Sequence, residues 1–591
     1  MILESLVRYY EILAADESSG ISKPGYTQAK VSFALVLSPQ GEFLELLPLK
    51  VSVSRGKDKT AEIPQSMEVP EQAKKAVGII PNFLCENCSY VFGLSEKDPE
   101  RAKKCFAAFR DLHHQLLDGV ICPEASALLS FLDSWDPEEA ADHPAIKAFW
   151  KDLLAGGKMV FRLDGGAYLH QVPAIRNAWE LYRENDDSAR QMQCLVTGRM
   201  GPVARLHPSI KGVRGAQSMG VSLVSFNASA YESYGQKQGD NAPVSKYAAF
   251  AYTTALNHLL ANPGNCLYLG DSTVVFWAES SNPIYQNLFA YAMNPEENAG
   301  GKDEKVRDEG TELLTRDIFQ KAMAGQNVGK LQDLFQPETS FYILGLSPNV
   351  ARLSVRFFIR DSFGGILEKL RLHFEHLSLA HAPNEFRYIS LWRLMNETVS
   401  PKSKDKNPSS LLTGAVLRSI YTASPYPEEL FQAVYLRIRA ERDITYQKAA
   451  ILKACLIRKY QYQNTNPYKE ELTVALNENS TNKAYLLGRL FAMLEKAQYD
   501  VNPNINTTIK DRYFNSFSTN PQLVFPTLMN LYQHHIAKSN SKFTDKIVED
   551  ILDKMGMDRE PIPARLSLEE QGIFILGYYQ QRRANFTKKE G

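Results

Sequence analysis

The sequence predicts an α+β protein: a mixed α/β region over 1–399, an exposed linker at 400–410 and an all-α helical bundle over 411–591. Three observations carry this reading. Short β-favouring runs, helical periodicities and turn clusters alternate through the first two thirds of the chain. The stretch SPKSKDKNPSS at 400–410 has two prolines, three lysines and no apolar residue, the composition of an exposed linker. Beyond it every convincing apolar pattern has helical spacing.

The elements follow in order. MILESLVRYYEILAADESSG predicts an amphipathic first helix, because Glu4 and Arg8 fall where a signal peptide needs an uninterrupted apolar core. From Val31 to Val53, VSFALVL and EFLELLPLKVSVS predict two strands of a hairpin turned at Ser38-Pro39-Gln40-Gly41. Between Asp98 and Trp150 the apolar spacing is helical. Asp98-Pro99 and Asp136-Pro137 each read as an N-cap followed by a first-turn proline. Strand patterns return at Lys158–Leu163, Gln193–Thr197 and Cys266–Glu279. Ser340 to Ala380 reads as strand, turn at Ser347-Pro348-Asn349, strand, then a helix entered through Gly364-Gly365. After the linker, segments beginning at Leu411, Pro427, Tyr446, Lys483 and Leu523 predict helices.

At 591 residues the chain is several times the commonest domain size. Hydrophobic residues make up 44 % and charged residues 23 %, which excludes disordered, fibrous and membrane classes. Lys+Arg and Asp+Glu are both 67, so no global positive charge advertises a polyanion partner. The seven scattered cysteines suit a reducing compartment, and a cytoplasmic location is expected. No 20-residue apolar span predicts a membrane crossing.

Catalytic signatures are absent: there is no GxxxxGK[ST], GxSxG, HExxH or strand-linked GxGxxG. Cys85 and Cys88 form one CxxC, but a structural zinc needs four ligands and no second pair accompanies them. His373, His376 and His381 lie on or just after one predicted helix without an identifiable second shell. Neither a metal nor another cofactor is therefore expected.

Charge is uneven along the chain. From Arg199 to Leu260 there are six basic residues (Arg199, Arg205, Lys211, Arg214, Lys237, Lys246) against two acidic ones (Glu232, Asp240). Gly212, Gly215 and Gly220, set among Lys211, Arg214 and Gln217, would let backbone N–H groups and cations approach phosphates, with Gln217 reaching a base edge. Tyr231 and Tyr234 are candidates to stack on an unpaired base. The bland alternative is a Gly-rich structural loop with solvated charges. A second excess lies in 401–470, twelve basic against six acidic, where a solvated helical face competes with a groove for a strand.

The motifs KPGYTQAKVSFAL, PNFLCENCSYVFG, HPSIKGVRGAQSMGVSLVSFNASAYESYGQKQGDNAPVSKYAAFAYTTALNHLL with GDSTVVFWAE, and LSLEEQGIFILGYYQQR occur in that order. With them the chain resembles, over almost its whole length, the large subunit of the type I-C (Dvulg-subtype) CRISPR Cascade complex. The resemblance implies a non-catalytic, DNA-binding subunit of a crRNA-guided surveillance complex in antiviral defence. Such a subunit recognises the protospacer-adjacent motif on duplex DNA and stabilises the R-loop and the displaced strand, while the guide RNA reads sequence. Implied partners are crRNA, the backbone and crRNA-processing subunits, small subunits, target double-stranded DNA and a recruited nuclease-helicase. The implied DNA-contacting residues are Lys211, Arg214 and Gln217, with Asn227, Lys237, Asn82 and Asn87, the last two being equally suited to capping turns. Residues from about 474 to 591 resemble the small subunit, with an internal start near Leu472–Val474 and with Lys483, Arg489, Lys510 and Arg512 toward the displaced strand.

Two other readings compete. A metal-dependent nuclease would use carboxylates such as Asp271 and Glu279, but on one strand these would stand roughly 26 Å apart, too far to share a metal pair. An interaction scaffold without direct DNA contact would leave binding and its salt slope unchanged when Lys211 and Arg214 lose their charges.

Overall fold

The computed structural model describes all residues except 55–59, 74–77, 185–189, 270–271, 296–308, 326–334, 405, 464, 504, 540, 557–560 and 587–591. The chain divides into two compact units: Met1–Ile210 with Ser222–His258, and Lys211–Val221 with the chain from Leu259 onward. The α+β class holds, with the sheets in the N-terminal portion and helices alone after residue 362 among the described residues.

The first unit opens on the amphipathic helix Ile2–Ala15, which buries Leu6, Tyr9, Tyr10 and Leu13 on one face. It contains strands β1 (Tyr26–Val31), β2 (Phe33–Leu37), β3 (Phe43–Pro48), β4 (Lys50–Ser54), β5 (Thr60–Pro70), β6 (Met159–Leu163), β7 (Gln191–Gln193) and β8 (Met200–Pro202). The expected hairpin is β2–β3, with Phe33 opposite Pro48. β2 is buried along its whole length because it also pairs with β6 in parallel, giving the order β3-β2-β6. β1, β5 and β4 form a separate antiparallel sheet.

Asp98 caps the helix Pro99–Leu117 as expected, its carboxylate accepting the Arg101 N–H at 3.0 Å. Asp136-Pro137 does not start a helix: its carboxylate takes the Glu138 N–H at 2.9 Å in a turn, and the helix begins only at Pro144. The expected strand at Gln193–Thr197 is displaced toward the N-terminus. Strand β7 ends at Gln193, and residues 195–197 form the turn that leads to β8.

The second unit is built on strands β9 (Cys266–Leu269), β10 (Ser272–Ala278), β11 (Ser340–Asn349) and β12 (Arg352–Ser362) in the antiparallel order β12-β11-β10-β9. Cys266–Glu279 is thus two strands rather than one, with Ser272 opposite Leu269. The turn after β11 lies at Val350, beyond the Ser347–Asn349 expected, because Ser347–Asn349 still pair with Arg352–Ser354. The helix Phe363–Leu377 then starts as predicted, with Ser362 Oγ accepting the Gly365 N–H.

One hydrophobic cluster joins this sheet to the helices that follow, drawing residues from Leu269 to Tyr579. Phe276, Phe289, Phe341 and Phe363 pack ring on ring within it. Truncating one such phenylalanine would cost about 3–5 kcal/mol. The described residues of the expected linker 400–410 lie inside this second unit, and Pro408 among them is buried. The unit's closest helix pair is Lys483–Val501 with Leu568–Phe586, where glycines set the separation. A Cβ on Gly488 would fall 2.0 Å from the Phe574 carbonyl oxygen, and one on Gly577 2.3 Å from that of Tyr485. Helices Ile509–Phe517 and Lys542–Met555, which the sequence reading passed over, complete the bundle.

Candidate nucleic-acid interface

The Gly-rich segment Lys211–Val221 belongs to the second unit and is anchored at fixed points. Val213 and Val221 are buried. The Arg214 backbone N–H donates to Thr273 Oγ1 on β10 at 3.1 Å, and Thr273 is itself fully buried. Gly212, Gly215 and Gly220 all have left-handed φ (+91°, +77° and +93°), which side-chain-bearing residues reach only with strain. The backbone reverses through Ala216 N–H to Val213 O and Gly220 N–H to Gln217 O, at 3.1 and 2.9 Å.

Between these anchors Lys211, Arg214 and Gln217 are all exposed. The Arg214 guanidinium lies 5.7 Å from the centroid of the half-exposed Tyr268 ring, a cation–π contact that steadies the charge at the surface. Two cations on a fixed loop suit phosphate oxygens, and the Gln217 amide carries both a donor and an acceptor for a base edge.

The other sequence-predicted residues fall in the first unit. Lys237 and Asn227 are exposed. Asn82 is buried: its Nδ2 donates to Glu86 Oε1 at 2.8 Å and its Oδ1 accepts the Ala73 N–H at 2.8 Å. Asn87 is the N-cap of the short helix Cys88–Val91, accepting the Ser89 N–H at 3.1 Å. Both asparagine amides are engaged within the fold.

A family of CRISPR-associated proteins, Cas_Csd1, matches residues 6–586. The chain belongs to this family. No curated protein matches the chain. For this CRISPR-associated protein, the remaining chemistry-bearing residues are accounted for by packing. Cys85 and Cys88 are buried, and burial pushes the Cys88 thiol up to about 11. His113 accepts the Leu84 N–H on Nε2 while Nδ1 faces the Phe109 carbonyl at 2.7 Å, and burial holds it down to about 4. His373 is buried against the Tyr426 hydroxyl, while His376 accepts a hydrogen bond from Arg458 Nε. Among the described residues no group of three or more His, Cys, Asp or Glu side chains could hold a metal ion. Asp271 lies outside the described residues, and Glu279 accepts the Tyr342 hydroxyl at 2.6 Å. No described helix is long and apolar enough to cross a membrane.

The second basic segment is divided: Lys402, Lys404, Lys406, Arg418, Arg439, Arg442, Lys459 and Lys469 are exposed, as a solvated face requires, and four others are drawn into the fold or an ion pair. Lys448, Lys453 and Arg458 are buried, Arg437 pairs with Glu441, and Lys459 pairs with Glu569 at 2.6 Å. Arg489, expected toward a displaced strand, is also buried, its Nε donating to Gln581 Oε1 at 3.0 Å. Sequence reasoning missed Thr273 and Tyr268, the residues that fix Arg214. Tyr268, on the strand CLYL, gave a weak signal as an aromatic two residues before Gly270 in the sequence.

Proposed function

We propose that this chain is the non-catalytic DNA-binding large subunit of a crRNA-guided type I-C Cascade complex. In this reading the Gly-rich loop meets duplex DNA at the protospacer-adjacent motif. Lys211 and Arg214 hold phosphates and Gln217 reads a base edge. Asn227 and Lys237 contribute further polar surface in the first unit, while Asn82 and Asn87 support the fold around them.

The observation that carries the reading is the loop itself, in a chain of a CRISPR-associated family. A neutral protein concentrates two exposed cations and a glutamine on a backbone whose left-handed positions are glycines. Glycine there lets a sugar-phosphate backbone come close. The guide RNA supplies sequence specificity, as in other RNA-guided effectors. Partners follow: crRNA, the other Cascade subunits, the opened target DNA, and a separate nuclease-helicase that makes the cut.

The test is equilibrium duplex binding by the reconstituted crRNA complex over a salt series, with motif-mutated targets. Lys211→Ala with Arg214→Ala is expected to weaken binding to all targets and flatten the salt slope, while Gln217→Ala alone changes motif preference. Unchanged binding and preference in all three would refute the assignment and leave the loop structural.

A further inference from the structure

We propose that the loop 229–241 of the first unit is a stacking platform for an unpaired nucleobase in single-stranded nucleic acid. Tyr234 supplies the ring that stacks, and Lys237 the cation that meets the flanking phosphate. The inference rests on reading the chain as a nucleic-acid-binding subunit, but not on the motif-reading role of Lys211, Arg214 and Gln217.

Tyr234 is wholly exposed, and its backbone is unusual. Ser233 to Gln236 form a tight turn closed by the Gln236 N–H to the Ser233 carbonyl at 2.9 Å. Its two central residues both have left-handed φ, +51° at Tyr234 and +71° at Gly235, the signature of a type I′ turn. Asparagine or glycine occupies such a first central position with little strain. A tyrosine there combines backbone strain with a solvated ring, so neither local conformation nor burial accounts for it.

The loop beneath the ring is braced. Asn241 Oδ1 accepts the Ser233 N–H at 2.8 Å, and its Nδ2 donates to the Gln236 and Gln238 carbonyls at 3.1 and 3.0 Å. Arg190 donates to the Gln236 side chain at 2.8 Å and lies 3.7 Å from Asp240, offsetting that acid. Gly239 is buried so tightly that a Cβ would fall 2.2 Å from the Ala204 carbonyl oxygen. An exposed ring on a fixed base loses little conformational freedom when a flat partner covers it. Around the loop Lys237, Arg205 and Arg190 outnumber Glu232 and Asp240, a local positive balance that suits a nucleic-acid strand.

The experiment titrates the full-length chain with oligothymidine and with oligouridine, each carrying one 2-aminopurine, and reads fluorescence quenching together with anisotropy. Wild type is expected to quench. Tyr234→Phe, which keeps the ring, should bind within about twofold of wild type. Tyr234→Ala and Tyr234→Gly should both lose the quenching and about tenfold in single-strand affinity. Glycine also relaxes the turn, so recovery of binding in Tyr234→Gly but not in Tyr234→Ala would trace the loss to the backbone and overturn the proposal. Absence of quenching by wild type, or wild-type binding by both ring-less variants, would overturn it as well. So would normal strand binding with failed assembly onto partner proteins, which would make the ring a protein contact. Tighter binding of the DNA probe assigns the ring to opened target, and of the RNA probe to the guide. Should the Lys211 and Arg214 changes leave duplex binding intact while the Tyr234 results hold, the motif assignment falls and this one stands.

Discussion

Two stretches of this chain carry a similar excess of positive charge and put it to opposite use. In the Gly-rich loop Lys211 and Arg214 are exposed, anchored through the backbone and two buried valines. In the helix Tyr446–Tyr460, Lys453 and Arg458 are buried and anchored through their charged ends. Lys453 Nζ donates to the His376 and Ser378 carbonyls at 3.1 and 2.8 Å. Arg458 Nη1 donates to the Ser419 and Ser424 carbonyls at 2.7 and 3.1 Å and stacks over Tyr426. Lys453 sits at the carbonyl end of the helix Phe363–Leu377 and Arg458 at that of the helix Ser410–Thr422, where the helix dipole favours positive charge. A count of lysines and arginines registers both segments alike; only the destination of each charge separates a surface for polyanions from an internal brace.

The sharpest way to break the contrast is Arg458→Ala. It leaves two carbonyls and a histidine nitrogen unpaired in the interior and opens a cavity beside Tyr426. A loss of about 4 kcal/mol is expected in urea denaturation of the second unit. Duplex affinity of the protein that remains folded should not change. A parallel fall in affinity without loss of stability would mean that the helix faces DNA after all.

Lys453 gives a pH signature of the same brace. Burial lowers its pKa from 10.5 to about 8. Between pH 8 and 10.5 the unfolded chain therefore binds more protons at this residue than the folded one, and its contribution to stability rises with pH across that window. Below pH 8 the burial penalty is present in full. The difference in urea midpoint between wild type and Lys453→Met should narrow or reverse in favour of wild type from pH 8 to 9.5, by roughly 2 kcal/mol. A difference that is flat over this range would mean that Lys453 is solvated.

For the loop the prediction is inverse. Lys211→Ala and Arg214→Ala should change stability by less than about 0.5 kcal/mol, as exposed side chains do. Together they should reduce the slope of log affinity against log salt by about two, one for each phosphate contact. A stability loss as large as that of Arg458→Ala would place these cations with the brace.

Much of the fold was legible because its signals are local. Asp98-Pro99 capped a helix since the apolar spacing begins directly after it, and Ser362 with Gly365 opened another in the same way. Asp136-Pro137 has the same dipeptide, yet the next residues lack a continuous apolar stripe and the carboxylate closes a turn instead. The charge excess around the Gly-rich loop was legible, but its anchor was not. Thr273 lies 59 residues from Arg214, on a strand whose place at this loop is set by sheet pairing. Lys453 and Arg458 escaped for the same reason: the carbonyls that receive them, of His376 and Ser378 on one helix end and of Ser419 and Ser424 on another, are brought to them by packing, which a count of charges does not register.

The finest test of the comparison changes no charge. Gly212 has φ +91°, and a Cβ there would lie 3.2 Å from the Leu260 Cβ. Gly212→Ala should therefore cost roughly 1–2 kcal/mol of local stability, read by hydrogen exchange of the Arg214 amide, which donates to Thr273. If the loop works by holding its cations in register, duplex affinity should drop severalfold while the salt slope stays at the wild-type value, because Lys211 and Arg214 both remain. A normal affinity would show that the charges act from any loop conformation and that the glycines serve only the packing against Leu260. Loss of slope would instead mean that the backbone decides which phosphates are met, bringing the loop closer to the fixed geometry of the buried brace.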